Sequence, residues 1–349
     1  MTLRRAFDVI SYGPGLRECM SDSSYAGEVV AVFRSSFYVR DSSGGLLCVA
    51  SHTLEDGPIM LKVRFPTPCD LAALGVKVGM ALLWENGGLL LGNSFRFDMS
   101  RSTAWIPPVI KTMASPWEVS LRLRTLVRRL LERIPDAGLA PLLPCAEDLA
   151  YGSLTGISCN SEAAIHAVSS VRRLVQGICE GDLREIDVAI GRIVGLGPGL
   201  TPSGDDVLVG AILGMNAVID AYVNEGGNEK IVGAGWREIV SFTTQSIARH
   251  ASGTTDISAA LLRHAAKGVA SAPVHRLLLH LLHPGCTADL VEGALAVADA
   301  GHTSGWDMLA GLALGMHLGL RIIDEKYTGL AGGRPVRSGQ RRPLELETR

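Results

Sequence analysis

Two stretches of this sequence repeat each other at an offset of 101 residues. Residues 203–215 and 304–316 are identical at eight of thirteen positions, and both run from Ser-Gly through Asp into an apolar, helix-like pattern. Self-similarity of this kind indicates two units built to one plan. The repeat therefore predicts two equivalent helices related by an approximate twofold axis.

The glycines of the repeat constrain how these helices pack. Gly210 and Gly214 in the first copy, and Gly311 and Gly315 in the second, are four residues apart and so share one helix face. Each glycine costs a helix roughly 1 kcal/mol relative to alanine. Their presence favours a place where two backbones approach closely, so we expect the two helices to contact each other along these faces.

The N-terminal third has a different pattern. Between residues 27 and 99, short β-branched and aromatic runs alternate with turn sequences at 42–45 and 86–88, which is typical of strands and hairpins. Since no helical run there is long enough to connect parallel strands, we predict a small, mostly antiparallel β-barrel or sandwich. The predicted strands are 28–33, 36–40, 46–50, 59–65, 81–84, 89–91 and 94–97.

From Ser115 onward the pattern becomes helical. Ser115, Pro116 and Glu118 form a capping box ahead of a helix that reaches about Arg133. Further helices are predicted at 161–180, 183–194, 205–222, 236–250, 256–269, 273–283, 287–300 and 304–323. The predicted fold class is therefore α+β, with a β-rich N-terminal domain (1–110), a capped helix and irregular connector (111–160), an all-α domain (161–323) and a disordered basic tail (324–349).

Composition excludes several classes of function. The chain has 33 basic and 35 acidic side chains, so it lacks the positive field that nucleic acid or a membrane surface requires. The apolar runs 207–219 and 308–320 are shorter than the roughly 20 residues that span a bilayer, and no secretory signal is evident. Seven scattered cysteines without a CxxC pair favour a reducing compartment. We expect a cytoplasmic protein with a small-molecule ligand or a protein partner.

Four arginines lie on the capped helix at positions 122, 124, 128 and 129. They resemble a phosphate patch, but leucines and valines alternate with them at helical spacing. We interpret them as the solvated side of an amphipathic helix.

The glycine-rich segment 195–206 is the most unusual stretch of the chain. Three glycines alternate with bulky or rigid residues and then give way to an apolar helix capped by Thr201 or Ser203. Such a loop can present backbone N–H groups at the positive end of a helix dipole, which suits an anion. The segment matches neither the Walker A pattern nor a dinucleotide fingerprint.

If the two repeated helices cross, both N-termini open onto one cleft that combines amide donors with carboxylates. Carboxylates there suit proton transfer or orientation of a substrate, whereas donors suit a phosphate or carboxylate ligand. Aspartate in a first helical turn also commonly serves only to complement the dipole. The candidate catalytic residues are Asp205, Asp206, His302 and Asp307, and the candidate anion-binding residues in this cleft are Gly197, Gly199, Thr201, Ser203, Gly204, Thr303, Ser304 and Gly305.

A third candidate segment runs from Arg249 to Ser258, where one helix ends and another begins. Thr254, Thr255 or Asp256 can cap the second helix. In a functional role, these three residues would join the anion site, and Arg249 would bind a carboxylate or phosphate through its planar guanidinium.

Three segments together, 195–206, 254–258 and 301–307, resemble the family of the oxamate carbamoyltransferase subunit AllH, and the likeness covers most of residues 25–323. The resemblance implies a role in bacterial purine (allantoin) catabolism. There the subunit would work with two others to transfer a carbamoyl group between oxamate and phosphate, feeding carbamoyl phosphate to a kinase. The implied ligand is a small anion, namely phosphate, carbamoyl phosphate or an oxamate-like acid. No catalytic residues are carried over from the family.

Two alternatives remain open at this stage. In the first, the chain is a non-catalytic scaffold subunit whose small-residue helices form a subunit interface. In the second, it is a stand-alone enzyme that binds a divalent metal through Asp205 and Asp206 and acts on a small carboxylate.

Overall fold

The computed structural model describes residues 5–19, 25–152, 161–224 and 234–327. The first part of the chain folds into a β-barrel, and the rest forms a helical region. The predicted α+β class, with a mostly antiparallel barrel first, is therefore confirmed.

Eight strands close into the barrel, and a short ninth strand extends it. In sheet order they run β5-β4-β3-β2-β6-β7-β8-β1-β9, and an additional β5–β1 pairing closes the ring. The pairings are antiparallel except for β4–β5, β1–β8 and β1–β9. The strands are β1 Arg5–Tyr12, β2 Ala26–Val32, β3 Ser36–Asp41, β4 Leu46–Ser51, β5 Met60–Val63, β6 Ala81–Glu85, β7 Gly88–Leu91, β8 Phe95–Asp98 and β9 Thr103–Ala104.

The interior of the barrel is filled by aromatic and aliphatic side chains. Phe37 and Phe97 are fully buried, and Phe65 meets Phe97 edge to face with ring centroids 6.0 Å apart. Strand β1, which closes the ring by pairing with both β5 and β8, lies outside the predicted strand region. Its position between two partners that are distant in sequence leaves no hairpin signal to detect.

The helices follow the predicted order. They are α1 Pro14–Cys19, α2 Leu71–Leu74, α3 Pro116–Leu130, α4 Ala146–Tyr151, α5 Glu162–Glu180, α6 Leu183–Ile193, α7 Ser203–Asn224, α8 Ala234–His250, α9 Asp256–Ala265, α10 Ala272–Leu282, α11 Leu290–Ala298 and α12 Ser304–Tyr327. Three short 3₁₀ helices, Leu131–Arg133, Ala140–Cys145 and Ala251–Gly253, accompany them.

Local signals account for several helix boundaries. The Ser115 side chain accepts a hydrogen bond from the Glu118 amide, and Pro116 occupies the first turn, as the capping box predicts. Residues 140–151, predicted as irregular, instead form the second 3₁₀ helix and α4, and they pack into the helical core. Helix α12 extends to Tyr327, beyond its predicted end, while the rest of the predicted tail lies outside the described residues.

Helices α7 and α12 cross at the predicted glycines. A Cβ on Gly210 would lie 2.2 Å from the Met308 carbonyl oxygen, and a Cβ on Gly311 would lie 2.1 Å from the Val207 carbonyl oxygen. Gly214 and Gly315 approach the facing backbone equally closely. The contacts are reciprocal under the 101-residue offset, as an approximate twofold axis requires. The predicted pair of pseudo-symmetric central helices is therefore present.

The duplication extends to the helix that precedes each repeat. A Cβ on Gly204 would lie 2.1 Å from the Ile193 carbonyl oxygen at the end of α6, and a Cβ on Gly305 would lie 2.1 Å from the Val297 carbonyl oxygen in α11. Both α6 and α11 begin at an aspartate N-cap, followed by leucine and, two residues later, by glutamate. The helical region is thus built from two equivalent helix pairs that face each other.

The barrel contacts the helical region mainly through α9. Ile257 and Ala260 pack into a cluster with Leu46, Cys48 and Ala50 of β4. Because α9 is anchored this way, the turn that precedes it is held in a fixed position relative to the start of α7.

By length and hydropathy, two described helices meet the criteria for a membrane span: Ser203–Asn224 and the Ser304–Ile323 portion of α12. The helices are longer than the apolar runs that the sequence shows, because their polar first turns are included. Most of each is buried inside the protein, and they bury their faces against each other. This is typical of core helices.

Replacement of Gly311 by alanine tests the helix crossing. The new Cβ would meet the Val207 backbone at 2.1 Å, so we expect a loss of about 2 kcal/mol or more in the free energy of unfolding, measured by urea denaturation. Gly293→Ala in α11 is the matched control, because its Cβ would meet only Leu277 Cδ1 at 3.5 Å. It should leave stability unchanged or raise it by up to about 1 kcal/mol. Equal stabilities for the two variants would contradict the close approach.

Candidate functional site

The glycine-rich loop joins the end of α6 to the start of α7. Gly195, Gly197 and Gly199 have φ angles of 74°, 111° and 101°, a region that side chains disfavour. A Cβ on Gly195 would also lie 2.9 Å from the Gly253 carbonyl oxygen. The alternating glycines are therefore required by the backbone path, and the loop packs against the turn that precedes α9.

Asp205 holds this loop and turn together. Its side chain is fully buried. Oδ1 accepts the Gly195 amide at 2.8 Å, and Oδ2 accepts the Thr254 and Ser258 hydroxyls at 2.5 and 2.7 Å. A buried carboxylate with three donors is satisfied within the protein. Asp205 thus connects the start of α7, the glycine loop and the turn before α9. All of its observed hydrogen bonds are made within the protein.

Asp206 and Asp307 occupy equivalent positions in the two repeats, and each faces the serine of the other repeat. Ser304 Oγ donates to Asp206 Oδ2 at 2.6 Å. Ser203 lies close enough to Asp307 to lower the pKa of that carboxyl. Thr201 Oγ1 in turn donates to Ser304 Oγ at 3.3 Å. The two helix starts are therefore linked by reciprocal Ser–Asp contacts, and the Thr201–Ser304–Asp206 chain leads from the half-buried rim inward.

Burial favours the neutral form of both carboxyls. Loss of solvation raises the pKa of Asp206 well above its ordinary value, and the charges of Asp307 and Asp205 raise it further, against the opposing hydrogen bonds of Ser304 and Thr201. Burial also raises the pKa of Asp307 to about 6. Burial thus favours the neutral form of Asp206, whereas Asp307, with a pKa of about 6, titrates close to neutrality.

The segment before α4 supplies residues that the sequence analysis missed. The Leu139 amide donates to Asp307 Oδ1 at 2.6 Å, and Ser161 Oγ donates to the Gly138 carbonyl at 2.6 Å. Gly138, at φ 56°, leaves no room for a Cβ beside the Asp307 carboxyl and Ser203 Oγ. Within the described part of the chain, no group pairs with the buried Asp307 Oδ2 in hydrogen-bonding geometry. No local motif marks these residues. Ser258, which binds Asp205, lies in the third candidate segment, but no sequence signal indicates that contact.

Two of the predicted anion-binding amides are already engaged. The Gly204 amide donates to the Leu196 carbonyl at 2.8 Å, and the Gly305 amide donates to the Ala300 carbonyl at 3.0 Å. These glycines also pack directly on the preceding helices. Close packing therefore accounts for Gly204 and Gly305 in this conformation, and the hydroxyls of Thr201, Thr303 and Ser304, all half-buried, are the more accessible polar groups.

Three predicted residues make no hydrogen bond within this cluster in the described structure. Arg249 donates to Asp187 of α6 at 2.9 Å, and its guanidinium covers the Phe242 ring. Asp256 forms an ion pair with Arg40 of the barrel. His302 is exposed next to the start of α12. The structure thus uses Arg249 and Asp256 to join elements, because each has an oppositely charged neighbour that no sequence spacing reveals.

The threonines of the third candidate segment do join the cluster. Thr254 binds Asp205, as described above. Thr255 Oγ1 donates to the Leu200 carbonyl at 2.5 Å and accepts the Ser258 amide as the N-cap of α9. Capping and loop anchoring are therefore combined in one residue.

The described residues offer no group of three or more histidine, cysteine, aspartate or glutamate side chains suited to a metal ion. At Asp205, moreover, donors occupy three of the roughly four lone-pair directions of the carboxylate, which leaves at most one for a cation. The geometry therefore gives no support to the hypothesis of a divalent metal at Asp205 and Asp206.

A closed β-barrel followed by a duplicated helical core, whose two central helices start side by side around a buried Ser–Asp cluster, defines the structural class of this protein. No solved structure matches the chain significantly. Sequence comparison matches residues 8–104 to the AllH family N-terminal domain and residues 193–316 to the oxamate carbamoyltransferase subunit AllH. The chain belongs to the AllH family, whose description is that of a subunit of an oxamate carbamoyltransferase.

The titration of Asp307 predicts how stability depends on pH. Its pKa rises from 3.8 to about 6 on folding, so its protonated form stabilises the folded state fully below pH 3.8, and this contribution is lost as the pH rises through 6. The amount is on the order of 2–3 kcal/mol. In Asp307→Asn, the unfolding free energy measured by urea denaturation should decline less between pH 4 and pH 6.5 than in the unaltered chain. The decline that remains comes from other buried acids such as Asp206.

Asp187→Asn is the control of opposite sign. Hydrogen bonds from Ser246 and Arg249, aided by His250, lower the pKa of Asp187 to about 2. Its contribution is present above pH 3.8 and is lost as the pH falls through 2. The control should lose stability at every pH above 4 without changing the slope between pH 4 and pH 6.5. An unchanged slope in Asp307→Asn would show that Asp307 ionises normally in the folded state.

Proposed function

We propose that this chain contributes an anion-binding site to a carbamoyltransferase complex acting on oxamate or a similar small acid, in the purine-degradation context that the family resemblance implies. The site lies between the glycine loop at 195–202 and the start of α12 at 301–304. The observation that carries the proposal is the hydroxyl chain from Thr201 through Ser304 to the buried Asp206.

Two helix N-termini supply the attraction for an anion. Helices α7 and α12 begin beside each other, linked by the Ser304–Asp206 bond, so the positive ends of two dipoles act on the same region. Helices of 22 and 24 residues present this field fully at their first turns. A phosphate or carboxylate placed beside Thr201 and Ser304 would interact with both dipoles, and it would accept hydrogen bonds from the two hydroxyls once these rotate their protons away from Ser304 and Asp206.

Burial reduces the negative charge that Asp206 would place in front of an anionic ligand. A charge on this side chain would oppose the dipole of α7 and repel the substrate. Burial raises the pKa of Asp206 well above its ordinary value and so favours its neutral form, which accepts or donates a hydrogen bond without adding charge. Of the two other acids in these first turns, Asp205 is satisfied by three internal donors, and Asp307 is left to accept a proton.

The same arrangement suits carbamoyl transfer. The oxamate nitrogen attacks the carbamoyl carbon, the bond from that carbon to the phosphate oxygen breaks, and the nitrogen releases a proton. The positive helix starts stabilise the charge on the departing phosphate. Asp307, whose pKa of about 6 leaves it largely ionised at neutral pH, accepts the proton through the Ser203 hydroxyl. In the reverse direction, the same groups return it.

The outer face of α3 supports membership of a complex. Trp117 and Leu121 are exposed one turn apart on α3, Trp117 by 72 %, and Leu131 is exposed at the start of the 3₁₀ helix that follows. Exposed tryptophan is typical of protein–protein contacts. A purely scaffolding subunit would need this face, but it would not need the hydrogen-bonded hydroxyls of Thr201 and Ser304.

Ser304→Ala tests the proposal. In the assembled complex, we expect the rate of oxamate-dependent phosphate release from carbamoyl phosphate to fall by about 10²–10³-fold, because a donor to the reacting anion is lost. Ser252→Ala, at an exposed serine in the 3₁₀ turn before α9, is the control and should retain full activity. The denaturation midpoint of both variants identifies any general loss of fold.

The scaffold alternative makes the opposite prediction. A complex containing Ser304→Ala that assembles normally and retains full transfer activity would reject the anion site, whatever the chain contributes to assembly.

A further inference from the structure

A large cavity lies away from the Ser–Asp cluster, toward the C-terminal end of α7. It has a volume of about 690 Å³ and lies between the C-terminal half of α7, helices α8 and α10, and the extended segment that follows the barrel. Small-molecule sites typically occupy 300–1,000 Å³. A two-carbon acid such as oxamate would fill only a small part of it, so this cavity suits a larger molecule.

Most polar groups on its wall are already engaged. Thr244 donates to the Val240 carbonyl, Gln245 donates to Ser241, and Asn224 donates to the Ile110 carbonyl. Arg237 and Lys267 also make interactions within the protein. These groups need no ligand to satisfy them.

Two side chains and one ring nitrogen on the wall have no hydrogen-bond partner among the described residues. Asn216, which is half-buried, and Asp220, which is exposed, are one turn apart on α7, and neither makes a hydrogen bond or ion pair within the described part of the chain. The ring nitrogen belongs to His275 of α10, whose Nε2 accepts the Ala270 amide at 3.0 Å and whose ring contacts Trp105. Its proton therefore lies on Nδ1, which is left as an unpaired donor. Burial lowers the pKa of His275 to about 4, so the ring is neutral.

The three groups define a hydrogen-bonding pattern. Asp220 offers only acceptors, His275 Nδ1 offers only a donor, and the Asn216 carboxamide offers both. The complementary ligand carries N–H donors next to a carbonyl oxygen, as amides and ureides do. Apolar side chains such as Leu213, Val240 and Leu278 form the remaining wall, which suits a compact ring.

We propose that this cavity binds a neutral cyclic amide or ureide, with its N–H facing Asp220 and its carbonyl facing His275. The site is separate from the proposed anion site and does not depend on it. In the second repeat, the residue equivalent to Asn216 is His317. The cavity that His317 lines has a volume of only about 200 Å³. The two halves of the duplicated core therefore differ here, and only the first leaves room for such a ring.

Ligand titration with small ureides tests the proposal on the full chain. The probes are uracil and hydantoin, with 1,3-dimethyluracil as the matched compound that lacks N–H donors. We expect uracil or hydantoin to bind with a dissociation constant on the order of millimolar. The methyl resonances of Leu213, Val240 and Leu278 should shift, while 1,3-dimethyluracil should bind at least about tenfold more weakly.

Two variants and a control locate the interaction. Asp220→Asn and Asn216→Leu should each weaken binding by about tenfold or more, because each removes a group that pairs with the ligand. Asp299→Asn, at an exposed aspartate at the end of α11, should bind as the unaltered chain does. The proposal is rejected if neither ureide binds at tens of millimolar, if 1,3-dimethyluracil binds equally well, or if Asp220→Asn leaves the affinity unchanged.

Discussion

The contact between the backbones of α7 and α12 is the constraint on which the rest of the helical region depends. Glycines at 210, 214, 311 and 315 let carbonyl oxygens of one helix lie where side chains of the other would be. Because the contact is this close, the two first turns start side by side, and serine and aspartate side chains can reach across. A wider separation would leave Asp206 and Asp307 buried without hydroxyl partners, which costs several kcal/mol per charged group.

The aspartates at the helix starts lie in different environments. Asp205 is bonded by three donors and fixes the glycine loop to the turn before α9. Burial instead raises the pKa of both Asp206 and Asp307, and Asp206 accepts a hydrogen bond from the half-buried Ser304. One helical turn therefore anchors the backbone through Asp205 and holds a buried carboxyl group beside hydroxyls through Asp206.

The approximate symmetry is broken where the two halves meet different neighbours. The glycine loop contacts the turn before α9, and α9 is anchored on β4 of the barrel. The start of α12 instead meets the segment at Gly138 and Leu139. At the far ends of the helices, Asn216 lines a large cavity and His317 a small one. The duplicated helices thus share one arrangement, whereas their surroundings differ between the two halves.

The sequence by itself determined most of the strand and helix pattern, the capped start of α3, the repeated helices and their glycine contact, because these features depend on periodicity and on residues close in sequence. It did not reveal β1, whose partners β5 and β8 are distant in sequence. Its interpretation of 134–160 as an irregular connector was incomplete, since the prolines there permit short 3₁₀ turns that pack into the core. Only the tertiary structure decided that Arg249 pairs with Asp187, that Asp256 pairs with Arg40, and that Leu139 meets Asp307. Those contacts join residues between 62 and 216 positions apart, and such distances are set by the packing of whole elements, which no local pattern encodes.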